Sequence, residues 1–224
     1  ELARNSFLLG FGAALISVIL ALFLGYGKRI IPGKATIASI RMASIGYAIP
    51  GTVVAVGIII PFAWIDGRID TFMQSSFGIS SGLIFSGTLI AVMFAYVVRF
   101  LAISLQTVES GLEKIKPSMD DAARSLGCRH RETLFKIHIP LLKSSTLTAL
   151  MIVFVDVMKE LPATLILRPF DFNTLAVRAF ELASDERLAD SSTAALTIVV
   201  VGLLPVIYLS KTISYSRLDQ GNTK

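Results

Sequence analysis

Three ionisable side chains interrupt an otherwise apolar stretch of the sequence, VFVDVMKELPATLIL. They are Asp156, Lys159 and Glu160, and each would cost about 2.5–3.5 kcal/mol near the centre of a bilayer. Because Asp156 lies one helical turn from both Lys159 and Glu160, the three charges can partly neutralise one another. Two interpretations stay open: an ion pair that fixes helix packing, or a polar cluster on a path through the membrane, beside a bend or helix end at Pro162.

A second interruption of an apolar stretch is the motif Ala48-Ile49-Pro50-Gly51. A broken helix at membrane depth is tolerated mainly where it faces protein or a water-filled cavity. Pro50 and Gly51 therefore predict either a simple kink packed against a neighbour or a second part of the same path. Arg41 and Arg99 are expected to extend toward the cytoplasmic ends of their helices, with their charged groups in water.

Residues 117–140 form a polar segment between apolar stretches, with a proline at each end and a glycine at position 127. Pro117 suits a first helical turn, Ser118 and Asp121 have the spacing of a capping box, and Gly127 suits a left-handed helix end. The pattern predicts a helix of roughly two turns, about 12 Å long, with one face formed by Met119, Ala122, Ala123 and Leu126. So short a helix is marginal alone, so it must dock either on a partner or on the protein's own membrane ends.

The composition predicts an all-α integral membrane protein. Hydrophobic residues make up 54% of the 224 residues and charged residues 17%, against about 45–50% and 25% in globular domains. The mean hydropathy is +0.71, and the single Cys128 excludes an internal disulfide. Five apolar stretches are long enough to cross a bilayer core of about 30 Å, namely Ser6–Tyr26, Ile40–Ile65, Gly82–Leu105, Leu141–Leu167 and Ser192–Lys211.

The positions of lysine and arginine predict the orientation of these spans. The net charge of +5 is better explained by topology than by nucleic-acid binding, because the basic residues collect on one side of the spans. That side is predicted to be cytoplasmic, and residues 66–81 and 168–191 are predicted to lie outside. Residue 1 would then also lie outside, which predicts a missing upstream half. The basic residues are Lys28, Arg29, Lys34, Lys114, Lys116, Arg124, Arg129, Arg131, Lys136, Lys143, Lys211 and Arg217.

The polar segment resembles the EAA signature of ABC importer permeases. Asp121-Ala122-Ala123, three residues, Gly127, nine residues and Ile137-His138-Ile139-Pro140 match its Glu-Ala-Ala, three residues, Gly, nine residues, Ile-x-Leu-Pro. Asp121 replaces glutamate and Ile139 replaces leucine. The resemblance implies that residues 1–224 are a type I ABC importer transmembrane domain, with a coupling helix that docks on a separate ATPase dimer. The coupling residues would be Asp121, Ala122, Ala123, Gly127, Ile137 and Pro140.

The sequence itself predicts no ATP site and no catalytic residues in this chain. Gly27-Lys28 is followed by Arg29 where a phosphate-binding loop needs serine or threonine, and Leu22 occupies the first glycine position. ATP would therefore be used by the partner subunit, and the chain would bind no cofactor.

The stretch from Glu160 to Leu188 is similar to ferric-iron permeases, which usually fuse two permease halves in one chain. The resemblance implies the C-terminal half of such a permease in the bacterial inner membrane, with a periplasmic iron-binding protein as partner. Related permeases for thiamine, sulfate or polyamines share the architecture and stay open as alternatives. An ATP-independent channel or secondary transporter is a further alternative, whereas an intramembrane enzyme is disfavoured because no span carries a motif such as His-Glu-x-x-His.

Iron is compatible with the chemistry of the polar residues without a firm metal site. Asp156 and Glu160 offer carboxylates, which suit hard Fe(III), but a tight site would slow release. His130 and His138 are expected to be surface residues or partner contacts, and Cys128 to be inert. The outer segment is expected to form a short interfacial helix that either receives the binding protein or seals the bundle, with an apolar stripe of Leu175, Ala179 and Leu182.

Overall fold

The computed structural model describes residues 1–221, which are 81% helical and contain no strand. In the last helix the side chains of residues 209 and 212–221, Arg217 among them, lie outside the description. The helices are α1 (Leu2–Ile30), α2 (Lys34–Ile45), α3 (Gly51–Phe77), α4 (Leu89–Leu112), α5 (Pro117–Ser125), α6 (His130–Thr133), α7 (Ile139–Leu141), α8 (Lys143–Met158), α9 (Pro162–Leu167), α10 (Leu175–Ser184) and α11 (Leu188–Gly221). A 3₁₀ turn, Gly46–Ala48, follows α2, and a π-helix, Leu134–His138, separates α6 from α7.

Four helices in the described part are long and apolar enough to cross a membrane: α1, α3, α4 and the first part of α11, Leu188–Tyr208. A fifth span is formed if the segment His130–Leu141 and α8, which meet at a bend of 71°, count as one broken span. The prediction of an all-helical membrane protein with about five spans is therefore confirmed.

The predicted bounds of the second span are wrong. The chain leaves the helix after Ile45, passes through the 3₁₀ turn, and begins a new helix at Gly51 after the extended Pro50. The long helix then runs to Phe77, through residues that were expected to form an outer loop. It ends where Gly78 adopts a left-handed conformation with φ +67°, which glycine accepts at little cost.

A buried carboxylate within this helix explains part of the difference. Asp66 is only 1% exposed and accepts hydrogen bonds from the backbone N–H groups of Ile84, Phe85 and Ser86 at 3.1, 2.9 and 2.7 Å. Asp66 is thus a helical residue that holds the returning chain, rather than a loop residue. The third span accordingly begins later than predicted, at Leu89.

The predicted fourth span is also divided. Helix α8 ends at Met158, and α9 begins at Pro162 as its first residue. Proline has no N–H to donate to the preceding turn but suits a first helical turn, so it ends one helix and starts another. Glu160 lies in this break and is buried.

Small residues allow α1 to pack closely at the centre of the bundle. Ala13, Ala14 and Ala21 are fully buried, and α1 lies against α4 and α8. A side chain at Gly10 would lie 3.2 Å from the ring of Phe154, so the two backbones approach closely there. Each end of α1 holds a different segment: Asn5 Nδ2 donates to the carbonyl of Asn173 near α10, whereas the last turn binds α5.

Candidate functional site

The first group of candidate residues is a buried ion pair between α4 and the break that precedes α9. Arg99 Nη1 lies 2.7 Å from Glu160 Oε1, and the two side chains are 20% and 7% exposed. The same carboxylate oxygen accepts the N–H of Ala163 at 3.3 Å, so Glu160 also serves the first turn of α9. The expectation that Arg99 extends into water is wrong, because the Glu160 carboxylate in the break between α8 and α9 binds it instead.

Gly51 lies against this ion pair at the beginning of α3. A Cβ atom at Gly51 would overlap Arg99 Nη1 and would lie 2.7 Å from Glu160 Oε1 and 3.3 Å from Pro162 Cβ. Only glycine leaves room for the pair at this point. Two helix breaks that are far apart in the sequence, at Pro50-Gly51 and at Glu160, therefore meet at one place in the fold.

The expected cluster of Asp156, Lys159 and Glu160 does not form as one unit. Lys159 Nζ pairs with Asp156 Oδ1 at 2.9 Å, and the lysine side chain is 67% exposed. Glu160 is bound by Arg99 instead. The structure thus brings Pro50, Gly51 and Glu160 together and separates them from the Asp156–Lys159 pair.

A buried hydroxyl pair next to Glu160 was not predicted from the sequence. Thr164 donates to the backbone carbonyl of Glu160 at 2.8 Å, so Tyr96 must donate in its own 2.6 Å hydrogen bond to Thr164 Oγ1. Both side chains are almost fully buried. The sequence signal is weak, since threonine and tyrosine are common in apolar helices, and only the tertiary contact reveals the pair.

Hydroxyl side chains also line a cavity of about 510 Å³ between α4 and α8, toward the α5 end of the bundle. Thr107 and Ser110 are three residues apart, and Thr148 follows Ser144 and Ser145 by four and three residues, so these side chains lie toward one face of each helix. This spacing is the signal by which the sequence could have shown them. The hydroxyl residues are Thr107, Ser110, Ser144, Ser145 and Thr148, with Lys114 beside them.

The second group of candidate residues lies on α5, which has the predicted length and position. It begins with Pro117 after Lys116, and the predicted capping box of Ser118 and Asp121 is wrong, because no side chain caps this end. The Asp121 carboxylate instead binds Arg124 at 2.9 Å. The helix ends at Ser125, and Gly127 just beyond it adopts the predicted left-handed conformation, with φ +82°.

The C-terminal end of α5 is fixed by a pair of backbone hydrogen bonds. The N–H of Gly127 donates to the carbonyl of Arg124 at 2.9 Å, and the N–H of Cys128 donates to the carbonyl of Ala123 at 3.0 Å. These two bonds define a Schellman motif. Ala123 is the buried residue of this helix, whereas Asp121, Ala122 and Leu126 are exposed, Leu126 by 84%. The expected apolar face is therefore divided, and most of it faces away from the bundle.

Arg29, Asp120 and His138 connect α5 to the bundle. Asp120 Oδ2 binds Arg29 Nε at 2.7 Å, and its Oδ1 lies 2.6 Å from His138 Nε2. Burial acts to raise the pKa of Asp120, but the hydrogen bonds from Arg29 and His138 outweigh it and hold the pKa below its ordinary value. His138 is 0% exposed and packs edge-on against Tyr26, so the expectation of a surface histidine is wrong for His138. His130 is exposed, as expected.

The end of the EAA-like motif lies in the bent segment that follows α5. Ile137 is half-buried in the π-helix, and Pro140 is exposed in α7. The 71° bend into α8 lies directly after Pro140 and Leu141. This part of the motif therefore forms the connection between α5 and the membrane helix α8.

The predicted outer helix exists as α10. Leu175 and Leu182 are buried against the bundle and Ala179 is half-buried. Glu181 pairs with Arg168 at 3.0 Å, and the N–H of Leu175 donates to Ser6 Oγ at 2.8 Å. Within the described residues no group of three or more histidine, cysteine, aspartate or glutamate side chains could hold a metal ion.

The arrangement of the helices is that of a type I ABC importer transmembrane domain. The MetNI methionine ABC transporter in an inward-facing conformation superimposes with a TM-score of 0.72 at 15% identity, over 96% of this chain and 94% of that chain. A bacterial alginate ABC transporter in complex with an alginate-bound periplasmic protein also gives 0.72, at 14% identity, over 92% of this chain and 75% of the other. At these identities the similarity establishes the fold alone.

The chain belongs to the family of binding-protein-dependent transport system inner membrane components, whose model matches residues 17–220. It is 27% identical over 208 residues to the Fe(3+)-transport system permease protein FbpB 2 of Haemophilus influenzae. It is 30% identical over 173 residues to a protein of Salmonella typhimurium provisionally named as the 2-aminoethylphosphonate transport system permease PhnV. These regions cover 92% and 77% of this chain, but only 38% and 58% of the two relatives.

Proposed function

We propose that this chain is a membrane permease domain of an ABC importer, driven by a separate ATPase dimer that docks on α5. The observation that carries the proposal is the geometry of α5: nine residues, fixed at both ends, with most of its surface turned away from the bundle. A large apolar side chain such as Leu126, 84% exposed beside Arg124, suits a pocket on a protein partner. Coupling would involve Asp121, Ala122, Ala123, Gly127, Ile137 and Pro140.

In this proposal the domain crosses the bacterial inner membrane several times and works with a second permease half and a periplasmic binding protein. The family membership and the apolar helices support the membrane location. ATP would be bound and hydrolysed by the partner, and the permease domain itself would bind no cofactor. ATP binding would move α5, and the spans would alternate between outward and inward access.

The translocation path would pass the two helix breaks at Gly51 and Glu160. Broken helices at membrane depth commonly mark the site where a transporter handles its cargo. The hydroxyl-lined cavity between α4 and α8 would continue the path as a polar passage. The Asp156–Lys159 pair would lie at its margin.

We propose ferric iron as the cargo, on the strength of the similarity to FbpB proteins of Haemophilus influenzae and Actinobacillus pleuropneumoniae. The second candidate is 2-aminoethylphosphonate, favoured by the 30% identity to PhnV. The two are distinguished by which loaded binding protein stimulates ATP hydrolysis by the full-length permease and its ATPase in lipid nanodiscs. Stimulation by the iron-loaded protein alone supports iron, and stimulation by the phosphonate-loaded protein alone contradicts it.

Docking of the ATPase on α5 is tested by cross-linking. A photoreactive residue is introduced in place of Leu126 in the full-length permease, and a control carries it in place of Phe170, which is fully exposed near α10 at the other end of the bundle. Illumination should join position 126, but not position 170, to the ATPase subunit. Absence of the adduct at 126 from a complex that still hydrolyses ATP would contradict docking at α5.

A further inference from the structure

We propose that Arg29 and Asp120 form a brace through which α5 moves the membrane helices. The inference rests on the proposed function and adds to it two positioning residues outside the EAA-like motif. The ATPase would displace α5, and the brace would convert that displacement into movement of α1, α4 and the junction that leads to α8.

Arg29 uses all three nitrogens of its guanidinium group to hold separate parts of the fold together. Its Nε donates to Asp120 Oδ2 at 2.7 Å, its Nη1 to the carbonyl of Leu112 at 2.8 Å, and its Nη2 to the carbonyl of Ile115 at 2.8 Å. Leu112 is the last residue of α4, so the positive charge also lies at the negative end of that helix. One side chain of α1 thus fixes the end of α4 and the start of α5.

Asp120 extends the connection in the other direction. Its second oxygen lies 2.6 Å from His138 Nε2, and His138 is the last residue of the π-helix before α7 and α8. The His138 ring packs against Tyr26 with 5.0 Å between centroids, and the Tyr26 hydroxyl donates to the carbonyl of His130 at 2.7 Å. Both ends of the segment from His130 to His138, which leads into the bend before α8, are therefore tied to α1.

Few other contacts could transmit force from α5. Ala123 is its only buried residue, and a methyl group gives a small contact area. The Arg29–Asp120 pair is 19% exposed on each side, so solvent screens it less than a surface pair. The planar guanidinium group is also held by the carbonyls of Leu112 and Ile115, which fixes the direction of its contact with Asp120. The geometry therefore assigns most of the directional connection between α5 and the bundle to this pair.

The test uses the full-length permease, its ATPase and a loaded binding protein in proteoliposomes. Arg29→Gln removes the charge from the brace. Lys28→Gln is the matched control, because Lys28 is the preceding residue and its pair with Glu109 at 2.7 Å is more exposed, by 46% on the lysine side. The quantity measured is the number of ATP molecules hydrolysed per cargo molecule imported. We expect this ratio to rise on the order of tenfold in Arg29→Gln, the effect of losing a charge-assisted contact, and to stay unchanged in Lys28→Gln.

Two further variants separate a transmitting role from a merely structural one. Arg29→Lys keeps the charge but loses the fork, so it should give an intermediate ratio even if Arg29→Gln fails to assemble. The double variant Arg29→Gln/Asp120→Asn should raise the ratio by less than the product of the two single effects, because both changes disrupt the Arg29–Asp120 contact that they share. If the two effects multiply, or if Arg29→Lys matches Lys28→Gln, the brace is contradicted while the importer proposal stands. If the wild-type complex shows no ATP-dependent import, the proposed function is overturned first, and the brace with it.

Discussion

Replacement of Gly51 by alanine tests the junction of the two helix breaks. The added Cβ would overlap Arg99 Nη1 and lie 2.7 Å from Glu160 Oε1. Overpacking costs about 1–3 kcal/mol, and leaving one charge of a buried pair without its partner costs about 3–5 kcal/mol. Because Arg99 remains 20% exposed and can shift toward solvent, we expect Gly51→Ala to lower the free energy of unfolding by about 1–3 kcal/mol.

The matched control is Gly57→Ala in the same helix, where no atom lies within 4 Å of the added Cβ. There alanine should stabilise the helix by about 0.5–1 kcal/mol. The assay is thermal unfolding of the full-length permease in detergent. Gly51→Ala should lower the midpoint and Gly57→Ala should not. Equal midpoints for the two variants would refute the close approach of Gly51 to the ion pair.

Three further predictions concern the ion pair, α5 and the buried hydroxyls. Glu160→Gln leaves the Arg99 charge without a carboxylate, so ATP-dependent uptake should fall more than the amount of inserted protein. Asp156→Asn, whose lysine partner is mostly exposed, should have a smaller effect, and equal losses would contradict a role on the path. Gly127→Ala places a side chain at φ +82° at a cost of about 1–2 kcal/mol, and should raise the ATP consumed per cargo molecule. Gly78→Ala, at φ +67° but far from α5, should not raise that ratio; an equal rise would refute a specific role of the α5 end. Tyr96→Phe removes the 2.6 Å bond to Thr164 and should lower the unfolding free energy by about 1 kcal/mol, which an unchanged midpoint would contradict.

The helical membrane fold could be predicted from the sequence because its causes are local and additive. Long apolar stretches cross bilayers, and Pro117 and Gly127 mark the ends of α5 through the conformations that they favour. The bounds of the second and fourth spans were wrong because hydropathy does not distinguish a continuous helix from two helices that meet at a break. Pro50 and Gly51 did indicate a break in the second span, but the contact of Gly51 with Arg99 and Glu160 is tertiary, and no local pattern contains it.

The sequence could indicate some of the residues of the candidate site, but not which of them lie in contact. The sequence indicated Glu160 and Gly51 separately, but their meeting depends on the packing of α3 against α4 and α9. The charged group of Arg99 was expected in water because Arg99 was placed near the cytoplasmic end of its helix. Its partner Glu160 is 61 residues away, so no local pattern indicates the pair. His138 was expected to be a surface residue or a partner contact because it lies in the cytoplasmic coupling segment, whereas in the fold it packs against Tyr26 and Asp120.

The most direct test of the central claim is uptake into proteoliposomes that hold the full-length permease and its ATPase. Iron-loaded binding protein is added on the outer side, ATP is present or absent on the ATPase side, and a parallel set uses phosphonate-loaded binding protein. The account predicts cargo accumulation that requires both ATP and the loaded binding protein, with iron as the accumulated cargo. Accumulation that proceeds equally without ATP would contradict the account and would instead identify an ATP-independent channel or secondary transporter.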